Sequence, residues 1–276
     1  MKKFLSSFIC AFILVLNFCS VSSLAAAPSV DISVNNNIIK TDRDAFIFDS
    51  LTYVPIRFVS EALGFDVSWD SESNAAIIEK EDEKAVYYVG KAESEINGDS
   101  QNLEAKAYNV NSRVFVPVRN VCEFLDAEVE WDRELYIVEI TSNHAFDNKS
   151  ATKSYKKDDI YWMSRIIESE SGGEPMQGKI AVGNVVINRV KSSDFPNTIY
   201  GVIFDRKYGV QFEPTINGHI YKTPTHQSVS AAKRALNGEN NIGNCLYFLN
   251  PKIASNFWIV NNRQFFTSIS NHDFYL

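Results

Sequence analysis

A duplication limits the folds open to this chain more than any other feature of its sequence. Val54-Pro55-Ile56-Arg57 and Trp69-Asp70 return as Val116-Pro117-Val118-Arg119 and Trp131-Asp132, each 62 residues later. Between these anchors Val59, Glu61, Leu63 and Val67 reappear as Val121, Glu123, Leu125 and Val129. A repeated segment is one supersecondary unit, and two copies can bury their apolar faces in a shared core. Each copy reads as a strand running into a proline that opens a short helix, with Val59 and Leu63 on one face. Gly64 closes that helix in the first copy. Phe65, Val67 and Trp69 then alternate along a strand, and after a polar turn Ala75 to Glu79 supplies another. Trp69 and Trp131 end apolar alternations, which predicts core tryptophans rather than sugar platforms.

Charge separates this duplicated half from the remainder of the chain. Residues 28–150 carry 11 basic and 24 acidic side chains, a net charge of −13, whereas residues 151–276 carry 14 basic and 10 acidic, a net charge of +4. The first residues read as an export signal: Lys2-Lys3, an apolar run from Phe8 to Phe18, and small residues for cleavage at Ala25-Ala26-Ala27. The run is short for a membrane span of about 20 residues, and Asn17-Phe18 before Cys19 lacks the small residue of a lipoprotein site. The expected organisation is a signal peptide over 1–27, the repeat domain over 28–142, a polar linker over 143–157 and a second domain over 158–276. These features predict a secreted protein without stable membrane insertion. Nucleic acid is excluded as a partner by a net charge of −9 once Lys2 and Lys3 are removed from the −7 of the whole chain. Cys122 and Cys245, far apart and unaccompanied, read as small buried hydrophobes.

In the second half the chemistry centres on Glu170. A helix starting near Asp158 places Ile160, Met163 and Ile167 on one apolar stripe, and Glu170 continues it, while Glu168 points almost the opposite way. Apolar neighbours and the negative end of the helix dipole both push such a carboxyl towards its neutral form. A neutral carboxyl is what a general acid needs. Beyond Gly172-Gly173 the run Ile180 to Val190 is apolar nearly all round and reads as a central buried helix. Gly178 and Gly183 allow close packing there, and Asn184 and Asn188 share a face on which amides must bond backbone or line a cleft. Phe195-Pro196-Asn197-Thr198 opens a short helix, Tyr208 to Phe212 with Asn217-Gly218 reads as a hairpin, and a further helix runs from Thr225 to Leu236 before Gly238.

Two resemblances add to this reading. Residues 30 to 140, on the repeated Val-Pro-x-Arg and Trp-Asp elements, resemble the copper amine oxidase N-terminal-like domain of secreted proteins. No copper is expected, because that stretch holds no His and no Cys/Met/His cluster; wall attachment or spacing is the role inferred for it. The second half, on Glu170-Ser171-Gly172-Gly173-Glu174-Pro175, Gln177-Gly178-Lys179-Ile180 and Asn188-Arg189-Val190, is similar to cell-wall hydrolases of the spore-cortex-lytic, SleB type. Phe195-Pro196-Asn197-Thr198, Gln211-Phe212, Tyr247-Phe248-Leu249-Asn250-Pro251 and Asn271-His272-Asp273-Phe274-Tyr275 continue the same order. The resemblance implies an α+β chain: a small duplicated α/β repeat domain followed by a lysozyme-like α+β catalytic domain. It also implies cleavage of peptidoglycan glycan strands, with Glu170 catalytic and no cofactor.

An ordinary glycosidase needs two carboxylates. Glu174 reads as a cap for the next helix, and Asp205 and Glu213 are unplaced. One buried Glu is enough for a lytic transglycosylase, in which the substrate's own C6 hydroxyl attacks. Sugar clefts favour aromatic faces and neutral hydrogen-bonding groups, which makes Gln211, Tyr247 and Asn250 the substrate-binding candidates. Other lytic transglycosylases carry a Glu-Ser pair, a Gln and a Tyr-Asn element in that order, which adds Ser171. Trp258, His272 and Phe212 read as core. The competing functions are a metal-dependent amidase, for which His219, His226 and His272 offer no zinc-ligand spacing, and a wall-binding protein without catalysis.

Overall fold

The computed structural model describes residues 29–207 and 209–276; the expected export signal lies outside them. Strands β1 (Asp31–Val34) and β2 (Asn37–Ile38) come first. The first repeat supplies β3 (Phe46–Phe48), β4 (Leu51–Pro55), α1 (Ile56–Ala62), β5 (Asp66–Asp70) and β6 (Ala75–Lys80). Strands β7 (Glu83–Tyr88), β8 (Glu93–Ile96) and β9 (Asp99–Asn102) intervene. The second repeat supplies β10 (Tyr108–Val110), β11 (Arg113–Pro117), α2 (Val118–Phe124), β12 (Ala127–Asp132) and β13 (Ile137–Ser142).

The two copies meet about a local twofold axis. Antiparallel β4 and β11 pair Val54 with its own copy Val116, and Tyr53 with Pro117 is mirrored by Pro55 with Phe115. These strands sit centrally in the sheet β10-β11-β4-β3. Both outer hairpins turn on two residues at positive φ, Asp49-Ser50 and Asn111-Ser112, the type I′ geometry that matches strand twist. Val59, Leu63, Val121 and Leu125, the expected helix faces, are all fully buried in one core. Outside the repeat the symmetry breaks: β5-β6-β7-β8-β9 is antiparallel, whereas β12-β13-β1-β2 takes β1 parallel to β13. One expectation fails here. Trp69 is 43 % exposed: it shares a face of β5 with Val67, which packs on the core, but it stands further along the strand, where the ring lines an open cleft; Trp131 is partly buried and packs on the core.

The second half contains α3 (Lys157–Ser171), α4 (Met176–Lys191), α5 (Ile199–Ile203), α6 (Pro214–Asn217) and α7 (His226–Leu236). It ends with β14 (Tyr247–Leu249), α8 (Trp258–Asn262), β15 (Phe265–Ile269) and β16 (His272–Tyr275). The apolar helix α4 is central, as its pattern predicts, and packs against both α3 and α7. At Gly183 a Cβ would stand 3.1 Å from Ile167 Cδ1 and 3.2 Å from Ala235 Cβ, so the glycine sets how closely the three helices approach. Thr198 and Thr225 cap α5 and α7 by accepting from Gly201 N and Ser228 N, a device worth about 1 kcal/mol per helix. Among the described residues 209–218 the expected hairpin is not formed. Asn217-Gly218 instead ends α6, with Gly218 at φ 80°, since a left-handed glycine stops a helix as readily as it turns a hairpin.

The stretch 143–157 is tied to the first half: Phe146 packs on its core, Asp147 N donates to Ala62 O, and Ile39 bridges Thr152. Ile38, Leu135 and Ile137 then share a small apolar cluster with Tyr155, Ile160 and Val229. Buried charge crosses the same junction. Lys233 Nζ donates to Ser29 O at 2.8 Å and Tyr136 O at 2.9 Å and faces Asp31. Arg165, stacked 3.6 Å over the Tyr161 ring, forms an ion pair with Glu134. Among the described residues no helix is long and apolar enough to cross a membrane.

Candidate active site

Helix α3 begins where Asp159 accepts from Lys156 N at 2.9 Å and buries Ile160, Met163 and Ile167 completely. Its last turn carries two carboxylates with opposite surroundings. Glu168 faces the start of α7, where its Oε2 accepts from Thr225 N at 3.0 Å, Thr225 Oγ1 at 2.7 Å and Ser228 Oγ at 2.6 Å. Burial works against its charge, but these donors prevail and hold it below the ordinary carboxylate range. Glu170 is partly buried, and no hydrogen bond reaches its carboxyl among the described residues. Burial first, and then the negative charge of Glu213, push it up to about 7, against an opposing pull from Arg189. The end of the helix is closed by Lys179. This fully buried side chain donates to Ser171 O at 3.0 Å and Gly172 O at 2.6 Å. A cation at a helix C-terminus satisfies orphan carbonyls and opposes the dipole.

Arg189 organises the surroundings. It projects from α4, donates through Nε to Leu246 O at 2.8 Å and through a terminal nitrogen to Gln211 Oε1 at 3.3 Å. Its guanidinium lies 4.9 Å from the Phe195 ring, 5.3 Å from Phe212 and 5.6 Å from Tyr247. Burial lowers its pKa to about 10, against the pull of Tyr247, Asp205 and Glu170. The Tyr247 hydroxyl accepts from Arg263 at 3.0 Å, and Arg263 also lies 5.0 Å from the ring of Trp258, which is 49 % exposed. The result is a neutralisable carboxyl beside a desolvated cation, a second carboxylate and a row of aromatic faces.

Of the expected substrate contacts, the structure gathers Gln211 and Tyr247 around Arg189. Ser171 is buried and donates to Ile167 O at 2.8 Å, turned back onto its own helix away from this group. Asn250 closes a tight turn, its Oδ1 accepting from Lys252 N at 3.0 Å. Glu174 caps no helix; it accepts from Asn271 Nδ2 at 2.8 Å across the β15–β16 turn. Asn184 and Asn188 bond the backbone of the loop before β14, at Glu239 O, Gly243 O and Cys245 O. His272 and Phe212 are core as expected, but Trp258 is not, because α8 buries none of its side chains. Sequence reasoning gave Arg189 no role and left Glu213 unplaced beside Asp205. Arg189 carried a signal, as a charge inside an otherwise apolar helix; nothing in the sequence placed Glu213 near Glu170.

A family model described as cell wall hydrolase matches residues 173–275. Another, described as copper amine oxidase N-terminal domain, matches residues 33–140. The cell wall hydrolase CwlJ of Oceanobacillus iheyensis is 31 % identical over 110 residues, which span 77 % of that protein and 38 % of this chain. The chain belongs to the cell wall hydrolase family. A spore cortex-lytic enzyme of Bacillus cereus is 42 % identical over 105 residues, 38 % of this chain and 39 % of that protein. The chain therefore matches well under half the length of that relative. The solved catalytic domain of the germination-specific lytic transglycosylase SleB from Bacillus anthracis is 39 % identical, with 98 % of that domain and 45 % of this chain covered at a TM-score of 0.41. Copper does not fit the N-terminal half of the hydrolase: residues 33–140 hold no His and no Met, and Cys122 is buried in the core. Among the described residues no group of three or more His, Cys, Asp or Glu could hold a metal ion.

Proposed function

We propose that the second half of the chain cleaves the glycan strands of peptidoglycan as a lytic transglycosylase, with Glu170 as its catalytic acid and base and spore cortex as the substrate. The observation that carries this reading is a partly buried carboxyl held at about 7, so that a large share is protonated at neutral pH and can donate. Glu170 protonates the oxygen bridging N-acetylmuramic acid and N-acetylglucosamine, and that bond breaks. The muramic C6 hydroxyl attacks C1 and returns its proton to the carboxylate, leaving a 1,6-anhydro end and a free hydroxyl on the other fragment. No water is consumed. While Glu170 is ionised, the Arg189 cation stabilises it. Gln211 and Tyr247 contact the sugar rings, and the exposed face of Trp258 extends that surface. The N-terminal half holds the protein on the secreted side at the wall.

A second reading rests on Glu213, whose charge Glu170 feels: a carboxylate so placed could activate water and make the reaction a hydrolysis. Mass spectrometry of soluble products from purified cortex peptidoglycan separates the two, run beside Glu170→Gln and Glu213→Gln. Anhydromuramic ends that vanish with Glu170→Gln and persist with Glu213→Gln support the transglycosylase. Reducing ends lost in both variants mean hydrolysis, free stem peptides mean an amidase, and no product from the parent means a binding protein.

A further inference from the structure

The local twofold axis of the N-terminal half creates two clefts, and the residues lining them correspond at the repeat interval. One, of about 260 Å³, is lined by Arg57, Val67 and Trp69 from the first copy and closed by Asn109, Ser112 and Arg113 from the hairpin of the second. The other, of about 440 Å³, is lined by Arg119, Val129 and Trp131, closed by Ile47, Ser50 and Leu51. Every position in the first set has its counterpart 62 residues away in the second. Each cleft is thus built by both copies, and neither would exist in a single repeat.

Divergence has made them chemically unlike. Around Trp131 the cleft includes Glu104 and Glu130, its Arg119 is bonded to Glu104 at 2.8 Å, and the indole packs edge-on against Tyr136 at 5.9 Å. The Trp69 cleft has no carboxylate in its lining, although its half of the chain carries a net charge of −13. Trp69 is 43 % exposed. Among the described residues the ion pair of Arg57 is with Glu61, at 4.0 Å with both side chains about half exposed, a contact too weak to hold the guanidinium. Arg113 is engaged by Asp42, so Arg57 is the cation left to a ligand. An aromatic face, hydroxyl and amide groups and a loosely held guanidinium suit a sugar ring bearing a carboxylate.

We propose that the Trp69 cleft binds a carboxylate-bearing glycan strand of peptidoglycan, with Trp69 stacking on a sugar ring and Arg57 pairing with a lactyl or stem-peptide carboxylate, and that the Trp131 cleft does not. This rests on peptidoglycan being the polymer the second half acts on. The test uses the full chain carrying Glu170→Gln, so that binding is read without cleavage, and measures its affinity for insoluble purified peptidoglycan. Adding Trp69→Ala should weaken binding about three- to tenfold, and Arg57→Gln should weaken it about threefold, with circular dichroism and Tm unchanged. Arg119→Gln, the copy of the latter, should leave affinity as it was. Soluble disaccharide-peptide fragments should compete, and inorganic phosphate at equal ionic strength should not. Unchanged affinity in Trp69→Ala, equal losses in Arg57→Gln and Arg119→Gln, or competition by phosphate alone overturns the proposal. Failure of the cleavage reading appears separately, as absent products from the Glu170 parent chain whose wall binding is intact.

Discussion

Glu168 and Glu170 stand two residues apart on one helix and end in opposite states. The side of α3 that bears Glu168 meets the N-terminal turn of α7, whose orphan N–H and hydroxyl groups hold a carboxylate in its charged form. On the side that bears Glu170, burial and the charge of Glu213 resist ionisation. The same functional group is therefore a structural clamp on one face and a candidate acid on the other. What separates them is the partner each face finds, with Lys179 closing the helix end between them.

Substitutions on the two faces test this contrast directly. The largest effect is expected from Glu170→Gln, which should lower glycan cleavage by about 10²- to 10⁴-fold in a product-release assay while the circular dichroism spectrum is preserved. Next, Lys179→Met should destabilise the chain by about 3 kcal/mol, because it leaves two buried helix-end carbonyls unpaired; urea unfolding measures it. Glu168→Gln should cost about 1–3 kcal/mol by the same measurement and leave the product unchanged. Its effect should fade as pH falls through the depressed folded value of Glu168, where the parent loses the same charge. If Glu168→Gln abolished cleavage and Glu170→Gln did not, the assignment of the two faces would be reversed.

Smaller effects concern protons. The folded value of Glu170, about 7, lies above its ordinary 4.5, so between those pH values the native state binds more protons than the unfolded one. Stability from this group therefore falls as pH rises through the window. Glu170→Gln should accordingly have a higher Tm than the parent at pH 8 and the same Tm at pH 4. Activity that needs the protonated acid should decline as pH rises through about 7. Glu213→Gln, which removes a charge that raises Glu170, should shift that decline to lower pH by a fraction of a unit; an unmoved profile would mean that Glu213 is not coupled to the acid.

Much of the architecture was legible in the chain because it follows from local or repeated patterns. An interval of 62 fixed two like units, and the antiparallel pairing of Val54 with Val116 is the simplest way two such strands can share a core. The stripe through Ile160, Met163 and Ile167 fixed which way Glu170 points. The failures have one cause. Asn217-Gly218 satisfies a helix stop and a hairpin turn equally, and the alternation of Phe65, Val67 and Trp69 names their common face without saying how far along the strand its cover extends. Ser171 shares its sequence position with a substrate contact, but its hydroxyl found a carbonyl one turn back.

Four properties were written along the chain: the duplication, the helices of the second half, the division of charge between the halves and the carboxyl most suited to act as an acid. Folding had to supply the rest. It brought Arg189 and Glu213 to set the proton affinity of that carboxyl, Lys179 to close its helix, and the contacts that engage Arg119 and Trp131 in one cleft of the repeat. Periodicity survives in any window of a sequence, whereas a pKa or an exposed ring depends on groups that folding brings from tens of residues away, through fields and contacts that no local pattern encodes.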